Sequence, residues 1–140
     1  LSDDERRQII EIERQVNGWL RAPKVSNYIR LEDKDHFGCS AGSGHSYIDA
    51  TGNVSPCDFV PLSFGSITQA SFRDIWCHVS AAMGQPRERC FMRDNVDAVR
   101  QEAGGRLPVS IDASLQIWDQ SRRSPLPGYY KLWNEIWQSG

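Results

Sequence analysis

The feature that most restricts this chain is a spacing. Cys39 and Cys57 bracket a stretch in which Gly52 stands five residues before the second cysteine. Residues 46–50 and 53–55 have the composition of two short strands, joined at Thr51, Gly52 and Asn53. Gly and Asn accept positive φ at low cost, so a tight turn here has a mechanism. A hairpin closes its ends on each other. It therefore brings Cys39 and Cys57 to one place although they are far apart in sequence. Two thiols at one point mean a metal site, an inorganic cluster or a disulfide.

Composition narrows the context without choosing among these. The 140 residues are 39% hydrophobic and 24% charged, as expected of one globular domain. A net charge of -2 gives no whole-chain attraction to nucleic acid or anionic lipid. No apolar run approaches the ~20 residues of a membrane span, and no secretory h-region follows the N-terminus. A cytoplasmic setting is the expectation. The four cysteines, Cys39, Cys57, Cys77 and Cys90, are even in number, so two disulfides are an alternative. Structural zinc is another, although its usual close cysteine pairs are missing. Either would make the chain a non-enzymatic interaction module.

Around the hairpin the pattern is helical. Ser2 and Glu5 form a capping box, followed by Ile9, Ile12, Val16, Trp19 and Leu20 at helical spacing. This amphipathic helix is expected to end before Pro23. Residues 25–30 read as a strand or extended linker, and 31–36 as an exposed charged run in which His36 is a minor ligand candidate. Residues 37–44 are rich in glycine and serine. They suit a loop whose backbone approaches a bound group, and they lack the Lys-Ser/Thr ending of a phosphate loop. His45 reads as a structural strand residue. An irregular apolar segment, 58–67, is expected to cover one side of the site. Ser71 caps a helix with Phe72, Ile75, Trp76 and Val79 on one face and Cys77 off it, ended by Gly84 and Pro86. Three further helices are expected over 94–103, 110–120 and 129–137. The linker between the last two contains Arg122 and Arg123, which read as a solvated turn before a phosphate site. The fold class expected is α+β: a small antiparallel hairpin with flanking helices and several helices at the C-terminal end.

The pattern C-x12-G-x4-C, from Cys39 through Gly52 to Cys57, resembles the opening of the auxiliary-cluster domain of radical S-adenosylmethionine (SAM) enzymes, of SPASM/twitch type. The likeness continues through Val54 to Cys57, Phe64 to Ile67 and Ser71 to Trp76, and ends at Cys90 with Phe91 and Met92. It covers residues 37–93. The resemblance implies an auxiliary [4Fe-4S] cluster held by Cys39, Cys57 and Cys90, with Cys77 as the default fourth ligand, and it implies no catalytic side chain in this segment. Were Cys77 to point away, one iron would stay open to a substrate or another ligand. The block C-x2-C-x5-C-x3-C of the longer SPASM pattern is missing, so the one-cluster twitch form is the closer likeness.

The resemblance also implies a larger molecule. SAM and a second [4Fe-4S] cluster would belong to a radical SAM barrel whose C-x3-C-x2-C signature is not in these residues, so this segment alone should not cleave SAM. The chain starts at Leu1 and reads as the C-terminal piece of such an enzyme. Residues 1–22 would be the last helix of that barrel, 23–93 the cluster domain and 94–140 a helical extension. The barrel, in the same polypeptide, and a substrate of unknown class are the expected partners. Electron transfer or direct substrate binding is the expected role.

Overall fold

The computed structural model describes residues 1–20, 23–31, 33–121 and 124–138. Arg122 and Arg123 lie outside them. The elements follow the order α1 (Asp3–Gly18), α2 (Tyr28–Leu31), β1 (Tyr47–Ile48), β2 (Val54–Ser55), α3 (Phe72–Met83), α4 (Phe91–Ala103), α5 (Ile111–Gln120) and α6 (Gly128–Gln138). The fold is α+β, with an antiparallel two-stranded sheet pairing Tyr47 with Ser55 and Ile48 with Val54.

The helix starts form as their sequences direct. Ser2 Oγ accepts the Glu5 N–H and the Glu5 carboxylate accepts the Ser2 N–H at 2.7 Å, closing the capping box of α1. Ser71 and Ser110 accept the N–H groups of Asp74 and Ala113 to open α3 and α5. Gly84 and Gly104 end α3 and α4 at positive φ. The helix expected from residue 94 begins earlier, at Phe91.

The stretch 25–30, expected to be extended, turns instead into α2 at Tyr28. The cause lies elsewhere in the chain. Glu13, on α1, is buried, and its carboxylate accepts the backbone N–H of Asn27 at 3.1 Å and the Asn27 side-chain amide. An acceptor just before a first turn satisfies donors that a helix cannot satisfy itself. Asn17 grips the same stretch through the Val25 N–H and carbonyl.

One apolar core holds the middle of the chain. Cys39, Ala41, Val54, Val60, Leu62 and Phe64 contribute from the hairpin region. Ile75, Val79 and Met83 contribute from α3, Phe91 and Val99 from α4, with Val109 and with Ile117 from α5. Leu62 and Phe91 are fully buried, which is worth about 2–3 kcal/mol each in area removed from water. The segment after Cys57 joins this core by extending the hairpin. Val54 donates to Gly65 O and Phe64 to Val54 O (2.8 and 3.0 Å), while Ser63 and Val109 bond the far edge. Neither α1 nor α6 supplies a residue to this core. No helix among the described residues is long and apolar enough to cross a membrane.

Candidate metal centre

Three of the four cysteines arrive from three different kinds of local structure. Cys39 is buried on the loop before the hairpin, locked by two backbone bonds to Arg87, Cys39 N to Arg87 O at 2.7 Å and Arg87 N to Cys39 O at 2.9 Å. Gly38 makes this approach possible. Its φ is +58°, and a Cβ there would stand 2.2 Å from the Arg87 carbonyl oxygen. The Gly42 N–H then bonds Pro56 O at 2.9 Å, fastening the Cys39 loop to the residue before Cys57. Cys57 follows the hairpin in a short turn closed by Val60 N to Cys57 O. Cys90 occupies the N-cap position of α4.

The glycines of residues 37–44 were expected to approach a bound group. Gly38 and Gly42 instead approach the protein itself. A Cβ on Gly42 would stand 2.3 Å from the Met83 side chain, so these positions set the packing of the loop on α3.

The thiols sense one another. The Cys39 thiol acts on Cys90, and Cys57 lies within electrostatic reach of Cys90. The neighbouring Cys39 thiol, then burial, holds the Cys90 thiol far above its ordinary range, more strongly than nearby backbone N–H groups lower it. Burial pushes Cys57 up to about 12, aided by its hydrogen bond to Asp58 at 3.1 Å and by that carboxylate's charge. Both are therefore neutral at pH 7, and an incoming metal would have to displace their protons. All four cysteines are free of disulfides. Among the described residues, no three His, Cys, Asp or Glu side chains close on a point as a single-ion site would. Backbone bonds tie the segments of Cys39, Cys57 and Cys90 together, and soft thiol donors suit an iron-sulfur group better than a hard cation.

Residues 39–98 match the SPASM family, described as an iron-sulfur cluster-binding domain. This part of the chain is a SPASM-type domain. The match holds Cys39, Cys57, Cys77, Cys90 and most of the buried core. The chain is also similar to an AdoMet-dependent heme synthase of Methanosarcina barkeri (strain Fusaro / DSM 804), with 38% identity over 39 residues. Those residues are 28% of this chain and 11% of the relative, so the chain spans only a small part of that protein's length. No solved structure matches the chain.

Within the SPASM-type domain Cys77 stands apart. It is exposed on α3, two residues from each of the buried Ile75 and Val79, and so on the opposite side of the helix. The structure does not bring it to the other three thiols. His45 pairs its Nδ1 with Ser40 Oγ at 3.1 Å, and His36 turns its Nδ1 toward Asp33 Oδ1, 3.6 Å away. Cys90 opens onto a polar cleft of about 450 Å³, lined also by Arg6, Asp33, Glu88, Arg89 and Arg93.

One residue at the site has no counterpart in the sequence reasoning. Arg87 is only 6% exposed. Its guanidinium lies 4.2 Å from the centre of the Trp118 ring and 5.2 Å from that of Phe91, and Nη2 donates to Ser121 Oγ at 3.2 Å. Burial lowers its pKa, while Cys39 and Asp94 act in the opposite direction. The available signal was its place three residues before Cys90, but a charged residue there reads as surface until its cage is seen.

Proposed function

We propose that this chain is the auxiliary [4Fe-4S] part of a radical SAM enzyme. Cys39, Cys57 and Cys90 would be thiolate ligands. The observation that carries the reading is that backbone bonds tie the three cysteine-bearing segments together, Cys39 to Arg87 three residues before Cys90 and Gly42 to the residue before Cys57, inside the stretch that matches an iron-sulfur cluster-binding domain. A [4Fe-4S] group normally takes four cysteines. Cys77 is the remaining thiol of the chain, and on the outer face of α3 it is poorly placed to serve. With three thiolates, one iron would be open to a substrate atom or to a ligand from outside the chain. The polar cleft beside Cys90 is the route by which such a group would arrive.

In this reading SAM and a second [4Fe-4S] cluster belong to a barrel domain elsewhere in the same polypeptide. The small share of the heme synthase relative that the chain covers supports it. Residues 1–22 would be a barrel helix, 23–93 the cluster-binding unit and 94–140 an extension whose α4 and α5 complete its core. A bound cluster would supply one-electron chemistry or a Lewis-acidic iron to the modification of the substrate. The chain's own residues hold the thiols, shield them and present the cleft. The test is anaerobic isolation of the full-length protein and of its Cys57→Ala variant. The reading expects two iron-sulfur clusters in the first and loss of one in the second. Equal iron in both would refute the ligand assignment.

A further inference from the structure

We propose that Arg87 tunes the reduction potential of the bound cluster, its fixed positive charge favouring the reduced state; this rests on the iron-sulfur reading above. The geometry begins with the backbone. Arg87 and Cys39 exchange both of their N–H···O bonds, at 2.7 and 2.9 Å. They form an antiparallel bridge, and directly opposed residues of such a pair project their side chains to the same side, with Cα atoms about 5.5 Å apart. The Arg87 side chain therefore starts beside the Cys39 thiol. Three residues later the chain supplies Cys90.

The charge is held in place. Trp118 and Phe91 are themselves stacked, 5.6 Å apart at 20°, and both lie within cation–π range of the guanidinium. Ser121 takes one of its N–H groups. Arginine stays ionised even when buried, so this is a permanent charge in a shielded setting. Cys39 and Asp94 are the groups whose charge it feels most. An aliphatic side chain would fill the same space between the rings without the cost of burying a guanidinium. Three thiolates and the iron-sulfur core gain negative charge on reduction. A nearby fixed cation stabilises the more negative state.

The experiment compares wild type, Arg87→Gln and Arg87→Lys in the full-length protein. Iron and sulfide are assayed first. A dithionite titration then follows the EPR signal that Cys57→Ala abolishes. The expected result for Arg87→Gln is unchanged iron with a ratio of reduced to oxidised cluster lower by on the order of tenfold at a fixed applied potential, equivalent to about 59 mV for a one-electron couple. Arg87→Lys keeps the charge and should stay close to wild type. A wild-type potential in an iron-replete Arg87→Gln protein overturns the proposal. So does an Arg87→Lys protein shifted as far as Arg87→Gln, or loss of iron from both variants, since either would give Arg87 a purely structural role. A wild-type protein without the Cys57-dependent cluster would overturn the iron-sulfur reading itself, and this role with it.

Discussion

Between Cys39 and Ser66 only Tyr47, Ile48, Val54 and Ser55 lie in strands, yet this stretch buries Cys39, Ala41, Val54, Val60, Leu62 and Phe64. Helix α6 is the reverse. Its 11 residues are continuously helical and none is buried. Tyr129, Trp133 and Trp137 stack along its own surface, 6.2 and 5.7 Å apart, with Trp137 68% exposed. Between these two regions, regular backbone and tight packing do not go together. The irregular half satisfies its backbone by bridges between loops, such as Cys39 with Arg87 and Leu62 with Val109. Two of the bridges hold Cys39 and Cys57 themselves. Helix α6 anchors its first turn by Gly128 N–H to Lys34 O at 2.7 Å and Tyr129 N–H to His36 O at 3.0 Å, and supplies no residue to the core.

The contrast can be broken most decisively at the cysteines. Cys39→Ala or Cys57→Ala should remove the auxiliary cluster, whereas Cys77→Ala should leave iron and sulfide contents at the wild-type level. Loss of iron from Cys77→Ala would bring α3 into the cage.

The next largest effect is expected at the loop glycines. Gly38→Ala places a methyl against the Arg87 carbonyl at positive φ, and should cost about 3 kcal/mol or more in denaturant unfolding. Gly104→Ala also stands at positive φ but meets nothing within 4 Å, so about 1 kcal/mol is expected. Equal losses would mean that the loop's approach to Arg87 is not what holds Cys39.

How far these differences could be read from residues alone depends on the range of the interaction. The hairpin, the serine caps and the outward position of Cys77 follow from neighbours within a few residues, and all were legible. The turn at Tyr28 was not, because its acceptor is Glu13, a distant residue whose charge on α1 reads as solvent-facing. Nor was the use of Gly38 and Gly42, whose close neighbours Arg87 and Met83 lie more than 40 positions along the chain. The site was legible as a set of thiols but not as an electrostatic environment. Arg87 acquires its role only when Phe91 and Trp118 close over it.

A packing comparison is smaller again. Leu62→Ala, in the loop-built core, should lose about 2–4 kcal/mol. Ile136→Ala, on α6 and 59% exposed, should change the stability of the isolated chain by less than about 0.5 kcal/mol. A large loss at Ile136 would show that α6 is packed in solution.

The finest distinction is chemical. In the metal-free protein near pH 8, iodoacetamide should label the exposed Cys77 before Cys57 and Cys90, whose raised pKa values keep them as thiols. The same shifts link stability to pH. A thiol whose pKa is raised on folding stabilises the fold fully below its unfolded value near 9, and the benefit for Cys57 is lost as pH rises toward about 12. The metal-free chain should therefore weaken in alkali. A stability rising over that range would contradict the burial assigned to Cys57.

The central claim is that Cys39, Cys57 and Cys90 together hold an iron-sulfur cluster. It is tested most directly by anaerobic reconstitution of this chain with iron and sulfide, followed by metal analysis and Mössbauer spectroscopy. The account predicts about four irons and four sulfides per chain, in the spectroscopic signature of a [4Fe-4S] cluster, lost when any one of the three cysteines is replaced. A colourless chain that binds a single zinc ion and takes up no iron would contradict it.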